Sequence, residues 1–385
     1  MAVAERLQRD GLLRRVLSFP AGVEIFDPNG AEGLKLIRRY RRFRLVNRLI
    51  WAAWRRLPGS SRAWNMPLVV STGYADWLAS GWVPPAAIFH GWAGNCLACV
   101  KKARHHGSIT MIEHVSMHPR AWKHAVLEEC ETFDVRPRDC RAILPVPLMK
   151  RMEREFELGD AILVPSQFAK RSFEKAGYAQ RTIVVNAGVD HHFFAPPALG
   201  VRRDVFRVCF AGRVELPKGL PYLLQAWNKL GLAQAELVLI GEVAPEINRF
   251  ITQWALPNVR FLGFQPPHEL AKWYRASHLF AFPSVNEGLA RVLLEAMSSG
   301  LPVIATERSG AEDCITQGIE GNIVPARSVE TLADAILWHY KNREASAAMG
   351  RAARLRIERQ FTLPHYVERV IEVYRTALSK FASAA

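Results

Sequence analysis

Residues 205–230 read VFRVCFAGRVELPKGLPYLLQAWNKL. The opening run is apolar at almost every position and stops at Gly212; the stretch from Lys218 onward then carries apolar residues at helical spacing. A run that is apolar on both faces suits a strand buried on both sides, which is the situation of a parallel sheet covered by helices. The alternation continues downstream. AELVLIG, VRFLGF, LFAFPS and PVIAT are the next expected strands, separated by PEINRFITQWAL, PPHELAKWYRAS and GLARVLLEAMSSG. Upstream the pattern is less regular, with RRVLSF, PLVVSTG, AAIFHGW, SITMIEH, AILVPS and RTIVVNAG as expected strands. The sequence therefore predicts an α/β protein of two doubly wound, Rossmann-like domains, residues 1–195 and 203–361. GVDHHFFAPPALGVRRD, residues 188–204, joins them, because proline, glycine and polar residues interrupt the alternation there. A final helix over about 362–385 could pack back on the first domain.

Composition narrows the setting. The chain has 385 residues and is 49% hydrophobic, enough for two separate cores. No stretch reaches the ~20 apolar residues of a spanning helix. The opening MAVAERLQRDGLLRR carries acids and bases where a secretory leader is apolar, so a cytoplasmic protein is expected. The six cysteines form no disulfide framework. Cys96 and Cys99 lack the second pair of ligands that a structural zinc would need, so they read as reduced packing residues.

The net charge of +15 is concentrated in residues 1–200, where 29 Lys and Arg face 18 Asp and Glu. Residues 34–59, LKLIRRYRRFRLVNRLIWAAWRRLPG, hold nine basic residues and no acid. Leu36, Tyr40, Phe43, Ile50, Trp54 and Leu57 form an apolar stripe, with Arg41, Arg48 and Arg55 on a neighbouring face. Such a helix could lie on an anionic membrane surface, peripheral on its inner face, or pack in the core with a basic solvent face.

Candidate site residues gather at strand ends. In a parallel sheet, ligands sit beyond the carboxyl ends, where helix N-termini present free amides. After LFAFPS, residues 286–288 turn into a helix, and the amides of Gly288, Leu289 and Ala290 are expected to face an anion. Glu287 lies on this loop. Glu295 is expected about two turns into the helix, ~10 Å further along. That separation is too wide for a retaining hydrolase pair, which needs about 5.5 Å. It suits an elongated ligand with an anionic middle, such as a sugar nucleotide. Arg213 and Lys218 leave the first strand of the second half, where both could reach a diphosphate. Gly263 and Phe264 end another strand, where backbone and ring could meet a base.

Together, FAGRVELPKG, NEGLARVLLEAM with its two glutamates eight positions apart, GLPVIAT, SGAEDCITQGIEGNIVP and ILVPSQFAKRSFEKAGY with IVVNAGVDHHFF resemble glycosyltransferase family 4. Its members are retaining enzymes of the GT-B fold, two Rossmann-like domains facing a central cleft. The likeness runs over about residues 105–360. It implies that Glu295 binds the donor ribose, that Glu287 approaches the transferred sugar, and that Arg213 and Lys218 neutralise the diphosphate above the amides of 288–290. It further implies a histidine on the first domain near the reacting sugar. In SITMIEHVSMHPR the candidates are Glu113, His114 and His118, with His118 preferred because a helix starts at Pro119. Glu242 stands where relatives often carry glycine, and it could meet the nucleotide or be solvated. The glycine-rich loop of the first domain is weak here, replaced by SFPAGVEIFDPNGAEG.

The expected reaction is retaining transfer of a hexose-type sugar from a UDP- or GDP-linked donor to a lipid-linked or polysaccharide acceptor. Catalysis is expected from His118 and Glu287, with no cofactor beyond the donor and no obligatory metal, since Arg213, Lys218 and a helix N-terminus supply the positive charge. A GT-B epimerase or phosphorylase shares the architecture, but no segment signals a pyridoxal lysine. A nucleic-acid-binding protein would account for the basic first half and leave the second-half residues unexplained, so no nucleic-acid partner is expected.

Overall fold

The computed structural model describes residues 66–197, 205–254 and 258–384, together with Val3 and Arg6. The expected strand RRVLSF, the weak loop 18–33 and the basic segment 34–59 lie outside the described residues. Ten strands form two all-parallel sheets. The first contains β1 (Ile88–Trp92), β2 (Ile109–Glu113), β3 (Ala161–Val164) and β4 (Thr182–Val184), in that order. The second contains β5 (Phe206–Ala211), β6 (Ala235–Ile240), β7 (Val259–Gly263), β8 (Leu279–Phe282), β9 (Val303–Thr306) and β10 (Gly321–Val324), ordered β10-β9-β8-β5-β6-β7. This is the doubly wound order, and its topological switch lies between β5 and β8. The fold is α/β, with two all-parallel sheets of Rossmann-like type.

Twelve helices are described: α1 (Met66–Ser80), α2 (Leu97–His105), α3 (Pro119–Thr132), α4 (Val146–Leu158), α5 (Gln167–Lys175), α6 (Leu220–Leu230), α7 (Asn248–Trp254), α8 (Pro267–Ala276), α9 (Arg291–Ser298), α10 (Val329–Lys341), α11 (Arg343–Gln360) and α12 (Leu363–Ala384). None of the described helices is long and apolar enough to cross a membrane.

The sequence reading fails at PLVVSTG, expected as a strand and found inside α1. The buried positions there are Ser71, Thr72, Ala75, Asp76 and Ala79, a stripe of helical period built from small and polar side chains. A reading keyed to large apolar residues does not see it. Asp76 is buried because its carboxylate receives the amides of Ala98 and Cys99 at the start of α2. Strand β10 was missed for the opposite reason, being four residues long and half-buried at Asn322 and Ile323.

The carboxyl ends of the two sheets face each other. Ser166, after β3, donates to the Gly288 carbonyl, and the Asp313 carboxylate, after β9, accepts from Gln167 N and Asn186 Nδ2. The chain passes between the domains twice, and the two passages pair: Val189 N donates to Phe361 O at 2.8 Å and Leu363 N to Val189 O at 3.1 Å. After the second passage α12 covers one face of the first sheet, its Tyr366, Val370 and Val373 packing with Ile109, Met111, Leu163 and Val185.

The segment after β2 crosses the other way. Met117, Trp122, Val126, Cys130, Val135, Cys140 and Ala142 share a single apolar core with the second sheet. A buried polar contact pins it: Glu129 accepts from Arg327 Nε at 2.6 Å and from Tyr222 Oη at 3.0 Å, while Glu128 takes the other end of the guanidinium. Burial raises the Glu129 carboxyl above its usual range, and Arg327 opposes that shift. Arg327→Met would strand this carboxylate. The expected loss is about 2–3 kcal/mol, read as a lowered unfolding midpoint, with Arg327→Met combined with Glu129→Gln recovering part of it.

Candidate active site

The crevice at the β5/β8 switch is lined by two loops, residues 212–219 after β5 and 283–290 after β8. Lys218 and Glu287 form an ion pair between them, each mostly buried. The Lys218 ammonium also lies 5.7 Å from the Trp122 ring centroid of α3 and 6.0 Å from that of Phe282. The segment that crosses from the first domain therefore forms one wall around this cation. Arg213 is more open, 58% exposed, and lies 3.1 Å from the buried Glu215 carboxylate. Burial raises the Glu215 carboxyl, and Arg213 and Lys218 pull it back. The crevice thus holds two cations whose internal counter-charges an anion could replace.

The expected anion loop is present with a shifted boundary. α9 begins at Arg291, with Ala290 as N-cap, so Glu295 is one turn into the helix rather than two. The reason is the irregular path of 284–290, fixed by Val285 N to Pro217 O at 3.0 Å and Glu287 N to Arg308 O at 2.9 Å. Among the described residues, the amides of Gly288, Leu289 and Ala290 donate to no protein acceptor. Ala290 makes no side-chain cap either. These three donors, with Lys218 and Arg213 at hand, form a ready cradle for an anion.

At Gly288 the second domain packs backbone to backbone against the first. A Cβ on it would stand 2.4 Å from Val115 O and 2.8 Å from Ser116 Cα, both on the loop after β2. No side chain fits without moving one loop off the other.

Glu295 is held by Tyr274 of α8. It is 9% exposed, lies 3.4 Å from Tyr274 Oη, and has its carboxyl raised by burial, with Arg291 opposing. Gly263 ends β7 in the left-handed region at φ 66°, and its carbonyl accepts from Gly241 N at 2.8 Å. Phe264 follows and is 77% exposed. Glu242 is paired with Arg141 from the crossing segment at 2.8 Å.

His118 is 2% exposed. Its Nδ1 accepts from Arg120 N at 3.3 Å, its amide donates to Ser172 Oγ at 2.8 Å, and its ring packs among Phe156, Phe173 and Tyr178. Burial lowers its pKa to about 4, so it is neutral at pH 7. The structure gives it a capping and packing role at the start of α3. His114 is similarly buried, bonded to Met117 O at 3.0 Å and lowered to about 4 by burial. Glu113 lies under α12, held by Tyr366 and His90. The part of this loop that reaches the Gly288 turn is Val115 and Ser116. Sequence reasoning missed them, along with Ser166, Trp122 and Arg141, because each acts through a partner on the other domain; Glu215 was missed although its partner Arg213 is two residues away.

Residues 194–356 match the family described as "Glycosyl transferases group 1". The match covers the second sheet and the loops that line its crevice. The resemblance to family 4 enzymes read from the motifs holds. Among curated relatives, D-inositol 3-phosphate glycosyltransferases from Kribbella flavida and Gordonia bronchialis are 31% and 35% identical, covering 52% and 53% of this chain and 52% and 49% of theirs. The chain spans about half the length of the curated relatives it matches. Solved structures extend the likeness to both domains. Anabaena HepE in complex with UDP-glucose aligns with a TM-score of 0.61 at 20% identity, over 80% of this chain and 82% of that one. Sucrose-phosphate synthase from Thermosynechococcus elongatus aligns at 0.60 with 18% identity, over 82% and 78%. At these identities they establish the GT-B fold.

Gly288→Ala is expected to lower the unfolding midpoint only modestly, because the loops can part, and to cut turnover at least tenfold by opening the contact with Val115 and Ser116. Thermal unfolding and steady-state kinetics on the same preparation separate the two effects.

Proposed function

We propose that this protein is a retaining glycosyltransferase that moves a hexose-type sugar from a nucleoside-diphosphate donor to a glycan or lipid-linked acceptor. The observation that carries the reading is the Lys218–Glu287 ion pair at the β5/β8 switch, beside Arg213 and three unspent amides. A diphosphate entering this crevice takes Lys218 from Glu287. The released carboxylate then accepts hydrogen bonds from the hydroxyls of the transferred sugar. Glu295, paired with Tyr274, receives the ribose hydroxyls, and Phe264 packs on the base.

As the glycosidic C–O bond breaks, negative charge collects on the departing diphosphate. Arg213, Lys218 and the amides of Gly288, Leu289 and Ala290 are preorganised to stabilise it. That supply of positive charge makes an obligatory metal unnecessary. The departing phosphate lies on the face from which the acceptor hydroxyl attacks, takes its proton, and so retains the anomeric configuration. No covalent sugar intermediate is assigned. His118 contributes by fixing the start of α3 and the loop that carries Val115 and Ser116.

HepE is solved with UDP-glucose, which makes uridine donors the first to try; GDP- and ADP-sugars complete the panel. A lipid-linked acceptor and a site of action on the inner membrane face rest on the basic segment 34–59.

One base class is expected to raise the melting temperature and to release nucleoside diphosphate slowly, with EDTA making no difference. Glu295→Ala should lose the stabilisation. Lys218→Ala should lower kcat/KM by about 10²–10³. No stabilisation and no release with any donor would refute the proposal, and loss of activity in EDTA would refute its metal independence. Removing residues 34–59 is expected to abolish sedimentation with phosphatidylglycerol vesicles and to leave donor hydrolysis intact.

A further inference from the structure

Lys218 is anchored at its backbone, and the place of its tip depends on its neighbours. The short turn Leu216–Lys218 is closed by Gly219 N donating to Leu216 O at 2.9 Å. It is tied to the loop after β8, because Pro217 O accepts from Val285 N at 3.0 Å and from Ser284 Oγ at 2.9 Å. Gly219 follows in the left-handed region at φ 73°, and a Cβ there would run into Pro283 O. From this fixed backbone a flexible four-carbon stem carries the ammonium. Glu287 holds the charge at its end. A diphosphate that takes Lys218 ends that hold, and the remaining neighbours then decide where the ammonium stays.

Two of those neighbours are rings. The Lys218 Nζ lies 5.7 Å from the Trp122 centroid and 6.0 Å from that of Phe282, within the range at which a ring face attracts a cation. Phe282 is buried at the end of β8. Trp122 comes from α3 and is also buried. Its indole N–H donates to Ala142 O at 3.0 Å and its amide to His118 O at 3.0 Å, so the ring has a fixed orientation. The segment that carries it is bound to the second domain by Glu129 with Arg327 and Tyr222, by Arg141 with Glu242, and by Asp134 O with Arg249 Nη1 at 3.0 Å. Trp122 is thereby built into the wall of the Lys218 site, although it lies outside residues 194–356 that match the family. A carboxylate competes with an incoming phosphate for an ammonium. A ring face attracts the same cation without a competing negative charge.

We infer that Trp122 is a positioning residue for the donor's diphosphate: its ring keeps the Lys218 ammonium in the crevice when Glu287 gives it up. The inference rests on the glycosyltransferase reading above and adds to it a donor-side residue that the first half of the sequence supplies. Packing by itself would also bury a tryptophan here, since Trp122 shares an apolar core with the second sheet. Positioning differs from packing in depending on the electron density of the ring face.

The test uses the full chain and inorganic pyrophosphate as the probe, with affinity read by titration calorimetry at one ionic strength. Mono-, di- and trifluorinated tryptophan are placed at position 122 alone. Fluorine withdraws electron density from the ring face, nearly preserves its size, and makes the indole N–H a stronger donor to Ala142 O. A loss of affinity along the series therefore reads the cation and not the packing. The pyrophosphate Kd is expected to rise stepwise, by about two- to tenfold over the series, and the same series in Lys218→Met to be flat. A flat series in the otherwise unaltered chain, a slope that persists in Lys218→Met, or no binding of pyrophosphate each overturns the inference. With a sugar nucleotide that is consumed, Trp122→Leu should lower kcat/KM about two- to thirtyfold and Trp122→Phe should recover most of the loss. The fluorinated series decides even where Trp122→Leu fails to fold. If the slope is found and no donor is consumed, Trp122 stands as a positioning residue for a diphosphate and the glycosyltransferase reading alone falls.

Discussion

The close approach of Gly288 to the first domain is the constraint on which the rest of the site depends. Its carbonyl takes the Ser166 hydroxyl, and the space where a Cβ would stand is filled by Val115 and Ser116. That contact fixes the height of the donor loop against the opposite sheet. Together with the bonds of Val285 N to Pro217 O and Glu287 N to Arg308 O, it holds the irregular path through 284–290 that delays the start of α9. The same contact brings the end of β2 within reach of any sugar held over the loop. Backbone packing at one glycine therefore bears on the geometry of the crevice between the two sheets.

Electrostatics then divides the crevice into two kinds of surface. The β5/β8 side stores cations against replaceable carboxylates: Lys218 on Glu287 and Arg213 on Glu215. The β1 side places buried Asp76 and Glu155 at the N-terminus of α2. On the first surface an incoming anion can take over the role of an internal partner, since Arg213 is open and Lys218 is held by Glu287.

Much of the second domain was legible because its strands are buried on both faces and its helices are amphipathic, so local pattern and tertiary role agree. Arg213, Lys218, Glu287, Gly263 and Phe264 all fall at strand ends, where the alternation alone put them. Glu295 was read onto the right helix but one turn too deep, because the start of α9 is decided by bonds to Pro217 and Arg308 that no local pattern records. PLVVSTG failed for a related reason: its burial is governed by Asp76 reaching the start of α2. His118 was correctly placed before a helix, yet the features that decide its state, Phe156, Phe173, Tyr178 and Ser172, come from two later helices and the turn after α5. The crossing segment 117–142 was illegible in the same way, since membership of a core belongs to the folded chain and not to a window of sequence.

The position of α12 has a consequence for how the protein is made. Its apolar side covers Ile109, Met111, Leu163 and Val185, so the first sheet lacks one of its two covers until that helix has been synthesised. About 180 residues separate β4 from α12, which at 5–20 residues per second leaves that face bare for roughly 10–40 s during translation. The second domain, contiguous from β5 to α11, can complete its own core first and then present the paired passage at Val189 and Thr362 as the guide for α12. On the ribosome the order of maturation would then run against the order of the sequence, with the amino-terminal domain waiting on the last helix to emerge.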